Sequence, residues 1–314
     1  MNQTYVVAVC TAKRPLMLQD CLNSIADLSP IPDATISVVV VENDTSDNCR
    51  TVCEDVAKER GLAVHYSLEP RRGIPFARNR VVEESLAHGA DWIAFIDDDE
   101  TARPDWLFLL AKGCADFGAE AANGPVARTY EKEAPYWWKK QQLRKLETGH
   151  EITEAPTNNN LIATRLVAED GLGLRFAEEL TNGAEDIDFF RRVTQAGVKM
   201  IWVDEAVVDE FIPASRVETS RLLNRVVMAA CSGTQRKMLR EGTGVALSSD
   251  LPRALRRILV GGLAAIVGLP VRLVGGEAGG KLLWYGITRV LKGYGNLKGL
   301  AGSVHDYYGK VDGR

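Results

Sequence analysis

The chain has 314 residues, enough for one large or two ordinary domains, with 46% hydrophobic and 25% charged residues. Those are the proportions of a soluble globular protein, and a formal net charge of −4 argues against a generic nucleic-acid binder. The average conceals an asymmetry, because residues 251–314 hold ten Lys/Arg against three Asp/Glu and leave 28 against 39 for residues 1–250. A basic tail on an acidic body predicts a separate task for the tail.

The chain opens with an apolar, β-branched run, Tyr5 to Cys10, which predicts a buried strand. Leu18, Leu22, Ile25 and Leu28 then fall on one face of a helix over Leu16–Leu28. A second strand is predicted over Ile36–Val41, ending in Glu42-Asn43-Asp44, followed by a helix over Ser46–Arg60 that stops at Gly61. A third strand covers Leu62–Ser67, and Gly73-Ile74-Pro75 opens another helix to about His88. Strands alternating with helices predict βαβ units and a mostly parallel sheet covered on both sides. Strand one exits into Cys10-Thr11-Ala12-Lys13-Arg14-Pro15, with neither a GxGxxG nor a Walker sequence. A phosphate-bearing ligand would then be met by a metal, by Lys13 or Arg14, or by Arg71, Arg72 and Arg78.

The short apolar strand Trp92–Ile96 delivers Asp97-Asp98-Asp99-Glu100. In an open α/β sheet ligands bind just beyond the carboxyl ends of the strands. Four consecutive carboxylates repel one another unless a cation sits among them or water screens them, and Mg²⁺ commonly takes one or two carboxylates plus substrate phosphates. The run is also compatible with acids capping a helix that starts near Pro104. Further on, Asn158-Asn159-Asn160 precedes a strand at Leu161–Thr164, and Thr181 to Asp188 reads as an acid-rich helix start. The six cysteines are dispersed without a CxxC pair and the four histidines are scattered, which predicts reduced thiols in a cytosolic compartment and no His-based metal cage. No secretory signal is expected, since the first residues lack a basic leader before a long apolar stretch. Ile258 to Val271 is an apolar run of 14 residues, short of the roughly 20 a spanning helix needs. Flanked by Arg253, Arg256 and Arg257 on one side and by Lys281, Trp284, Tyr285 and Arg289 on the other, it predicts helices lying on an anionic membrane surface. A helical pair packed on the body of the protein is the competing reading.

Five segments in order resemble the family 2 glycosyltransferases of GT-A fold, and among them the bacterial exopolysaccharide, succinoglycan-type sugar transferases. They are Val9–Pro15, Val38–Asp44, Arg72–Asn79 with its Ala77-Arg78-Asn79, Phe95–Glu100 with its Asp-x-Asp, and Gly183–Arg192 with its Glu185-Asp186. The resemblance implies an α/β GT-A domain over 1–215, Rossmann-like and mostly parallel, and a helical C-terminal region over 216–314 of which 253–300 associates with a membrane surface. It implies one divalent ion, Mg²⁺ or Mn²⁺, held by Asp99 with Asp97 on the ribose or on the metal's water shell, and Asp98 as a neighbour that strengthens the site. It places Glu42 against the nucleotide base, where the family more often carries Asp, with Thr11, Arg14 and Arg78 along the nucleotide pocket. Asp186 is implied as the general base and Glu185 as the residue that orients the acceptor. Glu210 falls where some relatives carry a metal-binding His. The asparagines approach a sugar or form a turn; Tyr136-Trp137-Trp138 stack on a sugar, meet lipid or pack internally. The implied activity is inverting transfer of one sugar from a nucleotide-diphosphate sugar, UDP-linked for preference, to a lipid-linked acceptor at the cytoplasmic face of the inner membrane. The absence of a Gln-x-x-Arg-Trp segment favours single addition. Two other functions compete: a sugar nucleotidyltransferase, and an inactive membrane-bound scaffold of a glycan assembly complex.

Overall fold

The computed structural model describes residues 2–140, 142–181, 183–273 and 277–303, so His305 and the last part of the expected 216–314 region lie outside the described residues. The first half follows the predicted alternation: β1 (Gln3–Thr11), α1 (Pro15–Ala26), β2 (Ala34–Glu42), α2 (Arg50–Arg60), β3 (Val64–Leu68), α3 (Ile74–Ala87) and β4 (Trp92–Asp97). Then come β5 (Glu100–Ala102), α4 (Trp106–Phe117), β6 (Ala121–Asn123), β7 (Val126–Tyr130), β8 (Asn160–Ala163), α5 (Glu185–Gln195), β9 (Met200–Trp202) and β10 (Val208–Ile212). Three long helices follow: α6 (Thr219–Glu241), α7 (Thr243–Leu273) and α8 (Glu277–Leu300).

The main sheet has seven strands in the order β3-β2-β1-β4-β8-β6-β9. β3, β2, β1 and β4 are parallel, whereas β8 runs antiparallel to both β4 and β6. Both faces of the sheet are buried, as near-continuous apolar strands require. Val7, Val9, Val38 and Val40 pack with α1, α2 and α4 on one side, while Val6, Ala8, Val39 and Val41 pack with α3 and α5 on the other. Burying a Val side chain contributes on the order of 1.5–3 kcal/mol, so strands apolar on both faces hold the centre of the sheet firmly.

Register sets the position of the chemistry. Thr11 lies opposite Glu42, and Cys10 opposite Asp97, so β1, β2 and β4 end at one edge. A second sheet of three strands, β5-β10-β7, stands beside that edge, with Glu210 paired to Glu100. The acids do not cap the following helix, because Glu100 already belongs to β5 and α4 begins at Trp106 without a side-chain cap.

Helix α2 starts at Arg50 rather than at Ser46. Glu42 Oε2 accepts the Cys49 N–H at 2.9 Å, and Asn48 donates to Asp44 at 2.9 Å, which holds residues 43–49 as a loop against the end of β2. Helix α1 carries Pro15 in its first turn, where its missing N–H costs nothing.

The tail is a helical bundle. The apolar run 258–271 lies inside the 31-residue α7, which packs along α8 through small residues. A Cβ added at Gly261 would come within 2.7 Å of the Gly286 carbonyl, and one at Gly268 within 2.5 Å of the Leu283 nitrogen. Trp137 stacks on Trp284 of α8 with ring centroids 4.5 Å apart, so this aromatic segment packs internally against the tail. Asp188 on α5 is gripped by Arg240 of α6 through two bonds of 2.5 and 2.6 Å, which fastens the bundle to the α/β layer. The opposite face of α7 is open: Leu259, Leu263, Ile266 and Leu273 are 65–79% exposed. It is the one helix, among the described residues, long and apolar enough by composition to cross a membrane, with mean hydropathy 1.7 over its best window and 17% of that window buried.

Candidate active site

Thr11, Glu42 and Asp97 stand at the ends of adjacent parallel strands, and their side chains form the floor of the site. Thr11 Oγ1 donates to Asp98 Oδ2 at 2.7 Å, and Arg14 Nη1 donates to Asp98 Oδ1 at 3.0 Å. Thr11 and Arg14, expected along the nucleotide pocket, therefore both hold Asp98, a buried carboxyl whose pKa burial raises against the pull of Arg14. Glu42 is wholly buried and accepts from Tyr66 Oη at 2.7 Å and from the Cys49 N–H, with longer contacts of 3.4 Å from Lys13 N and Asn48 Nδ2. Asn43 clamps the next loop, donating to the carbonyls of Glu69 and Arg71 and accepting the Gly73 N–H at 2.9 Å. Glu42 thus serves as a bracket for the loop that follows β2.

Asp97 and Asp99 lie closest to the second sheet. Burial pushes the Asp97 carboxyl up to about 7, with Asp99 adding to the push and Arg78 opposing it. Asp99 pairs with Arg216 at 2.5 Å and with Arg14 at 3.6 Å. Glu210, raised by burial and by Asp99, pairs with Arg128 at 2.7 Å and with Arg216 at 3.6 Å. Glu100 is pushed well above the ordinary carboxyl range by burial and then by Asp97, and takes a 2.8 Å bond from Asn158. Among the described residues no three His, Cys, Asp or Glu side chains converge as a ready-made metal cage. The donor set nevertheless suits a hard divalent ion that brings phosphate ligands with it. Asp97 and Asp99 both offer carboxylate oxygens, the charge of Asp99 adding to the cost of ionising Asp97, and Mg²⁺ needs only one or two carboxylates in such sites.

Across the pocket, α5 starts at a strained turn. Gly183 has φ 106° and Ala184 φ 70°, the left-handed region, which for Ala costs on the order of 1–2 kcal/mol. The turn sets Glu185 and Asp186 at the helix start. Glu185 is buried against Arg78 in a close ion pair, its Oε2 has no partner, and burial raises its carboxyl to about 7 despite Arg78. Asp186 is half-buried and accepts the N–H of Ile187 at 2.7 Å. Arg78 is buried, which lowers its pKa, but the acids Glu185, Asp186 and Asp97 outweigh burial and raise it, with Glu185 in direct contact.

The three asparagines divide. Asn159, in the left-handed region at φ 59°, accepts the Trp106 indole N–H at 2.7 Å and donates to the Pro125 and Ala206 carbonyls, so it is a rivet of the core. Asn158 Oδ1, Asn160 Oδ1 and Thr157 Oγ1 are buried and unpartnered, and Asn158 lies beside Glu100. Sequence reasoning missed Arg216 and Arg128. Their role depends on the pairing of β10 with β5 and β7, and the only local signal was an Arg six residues beyond Glu210.

The fold places this chain among the GT-A-like proteins, with its acids at the ends of the parallel strands. Residues 6–168 match Glycosyl transferase family 2, and the chain belongs to that family. It is 33% identical over 223 residues to the succinoglycan biosynthesis protein ExoM of Rhizobium meliloti (strain 1021), covering 70% of each chain. In structure it resembles S. aureus TarS in complex with UDP-GlcNAc, with TM-score 0.54 and 15% identity over 96% of this chain and 93% of that one. It also resembles the mannosyltransferase PcManGT from Pyrobaculum calidifontis in complex with GDP-Man and Mn²⁺, with TM-score 0.60 and 16% identity over 93% and 86%.

Proposed function

We propose that this glycosyltransferase moves one sugar, with inversion, from a UDP-sugar to a lipid-linked saccharide in bacterial exopolysaccharide synthesis. The observation that carries the proposal is the arrangement of acids: an Asp-x-Asp cluster at the strand ends and, at the start of α5, an acid pair whose Glu185 is held by Arg78 in a buried ion pair. Similarity to a succinoglycan biosynthesis protein supports the pathway class, and likeness to a fold seen with UDP-GlcNAc supports the donor class.

In this reading Asp186 accepts the proton of the acceptor hydroxyl as that oxygen forms a bond to the anomeric carbon. The bond from that carbon to the diphosphate oxygen breaks on the opposite face, its electron pair leaves with the nucleoside diphosphate, and the configuration inverts. The unpartnered Oε2 of Glu185 supports a hydrogen bond to the acceptor, with Arg78 fixing the other oxygen. Thr11, Arg14 and Asp98 form a rigid wall on the nucleotide side, and Glu42 holds the loop against which the base would lie. Asp97 and Asp99, with Glu210 nearby, are the residues that would hold Mg²⁺ or Mn²⁺. Bound there, such an ion would stabilise the charge of the departing diphosphate as a Lewis acid. We further read the open apolar face of α7 as lying on the cytoplasmic face of the inner membrane, beside the acceptor.

Thermal melting of the full chain with UDP-, GDP- and dTDP-sugars, with and without Mn²⁺, tests the donor, because a ligand of the native state raises its melting temperature. A UDP-sugar is expected to give the largest rise, followed by transfer to extracted lipid-linked acceptor. No shift with any donor and no transfer would leave the inactive scaffold standing.

A further inference from the structure

A second concave site lies outside the α/β layer, between α6, α7 and α8. It is a cavity of about 410 Å³ whose charged lining is Arg236, Lys237, Arg253 and Arg257 against Asp250 and Glu241. Its floor is a chain of hydrogen bonds joining the three helices. Asn296 of α8 donates to Thr234 Oγ1 of α6 at 2.9 Å, and Thr234 donates to Asp250 Oδ2 of α7 at 2.9 Å. Asp250 is buried and already engaged, with Arg253 in a close ion pair and Lys237 at 3.8 Å. Asp250 is thus neutralised by the pocket's own cations, and with Glu241 counted as well the lining keeps more cations than acids.

Arg257 is different. It donates to a neutral group, Asn296 Oδ1, at 2.6 Å. Burial lowers its pKa, and Arg253, Arg289 and Arg256 add to that by repulsion, with Asp250 as the opposing acid. Cations gathered round a polar cavity at this density call for an anion from outside. The position of the cavity says where the anion comes from. Arg257 lies at the N-terminal end of the apolar run on α7 and faces α8, where a Cβ on Gly293 would lie 3.3 Å from its own Cβ, while Leu255 and Leu259, 50% and 68% exposed, point to the other side of the helix. If the stripe faces lipid, Arg257 lies at headgroup depth. Basic pockets between apolar helices on that side of a bilayer are suited to anionic headgroups.

We propose that this pocket binds the phosphate of an anionic membrane phospholipid, with Arg257, Arg236 and Lys237 as the contacts. The inference rests on the reading of α7 as membrane-facing, and it adds a specific seat for a headgroup to what is otherwise a diffuse attraction. The seat anchors the bundle through α6 and, by Arg240 and Asp188, reaches the helix that carries Asp186.

The test is flotation of the full chain with vesicles of phosphatidylcholine alone and of phosphatidylcholine mixed with phosphatidylglycerol, at constant ionic strength. Wild type is expected to prefer the anionic vesicles. Arg257→Gln is expected to weaken that binding by roughly tenfold or more, the scale of a charged hydrogen bond. Arg256→Gln removes the same charge from an exposed position outside the pocket, and is expected to weaken it by no more than about fivefold, the scale of one cation near the surface. Equal losses for the two variants, or unchanged preference in Arg257→Gln, would overturn the pocket while leaving membrane association intact. Equal binding to both vesicle types does the same. No flotation on either vesicle overturns the membrane reading as well, and release from vesicles by inorganic phosphate at the same ionic strength would assign the pocket to small phosphates. Near-ultraviolet circular dichroism of each variant, matching wild type, shows that the bundle has folded. None of these outcomes depends on sugar transfer.

Discussion

Arg216 reaches back from beyond the last strand to Asp99, its Nη2 lying 2.5 Å from Oδ2, and extends its other nitrogen to Glu210 at 3.6 Å. The residue expected to hold a metal is thus already held by a cation of the chain. At Asp99 itself two guanidiniums, Arg216 and the more distant Arg14, already balance the carboxylate, as Arg128 and Arg216 do at Glu210. A divalent ion entering alone would disturb that balance, whereas one entering with a nucleoside-diphosphate sugar would add no net charge. Mn²⁺ is therefore expected to bind weakly by itself and to be strengthened by the donor, and the donor by Mn²⁺ to the same extent. Arg216→Gln removes the competitor. Mn²⁺ alone should then bind at least about tenfold tighter, since breaking a partly buried pair frees the partner charge. Electron paramagnetic resonance of free Mn²⁺ measures this directly, and unchanged affinity would take Arg216 out of the competition.

Asp186→Asn separates binding from chemistry. The amide keeps the size and the hydrogen bond to Ile187 N–H but cannot accept the acceptor's proton. Donor affinity by calorimetry should stay within a fewfold of wild type while transfer falls by about 10²-fold or more, the scale of a general base. Near-normal transfer would assign the base elsewhere.

What was legible in the sequence was local. The strands ending at Thr11, Glu42 and Asp97 announce themselves by short apolar runs followed by polar residues, and register then aligns their ends. What was not legible depended on partners distant in the chain. That Tyr66 and Cys49 hold Glu42, a grip that also delays the start of α2, could not be read from the residues around it. Nothing near Arg216 says that β10 will pair with β5 and bring it to Asp99. Nothing in the apolar run itself says that Gly261 and Gly268 are where α7 and α8 approach each other, within a 31-residue helix. An antiparallel β8 within a mostly parallel sheet was equally invisible, because a four-residue strand carries no signal of direction.

The Glu185 carboxyl gives a pH dependence with a definite sign. Burial raises it from 4.5 to about 7 in the folded chain, so the folded state holds its proton more tightly than the unfolded state does. Its contribution to stability is then fully present below about 4.5 and is lost as the pH rises through about 7. Asp97, Asp98, Glu100 and Glu210 are raised in the same direction, so the wild-type curve carries all of them. Glu185→Gln should flatten part of the fall in melting temperature between pH 5 and 8 by removing one of these groups, an order-of-magnitude expectation from linkage. Identical slopes for variant and wild type would show that Arg78 keeps Glu185 ionised throughout.

Asn159 and Asn158, neighbours in one tract, should fail differently. Asn159→Ala strips a partner from the Trp106 indole N–H and from the Pro125 and Ala206 carbonyls, all in the core. An unsatisfied buried group costs about 1–3 kcal/mol, and Ala in the left-handed region adds about 1 kcal/mol. A loss of about 3 kcal/mol or more is expected in urea unfolding, with activity per folded molecule little changed. Asn158 instead gives one bond to Glu100 and leaves its Oδ1 buried and unpartnered at the acid cluster. Asn158→Ala is therefore expected to cost less stability than Asn159→Ala but to raise the KM for donor or acceptor. If the two variants lose stability equally and neither shifts KM, the free carbonyl oxygen of Asn158 has no ligand to meet, and the whole tract is structural.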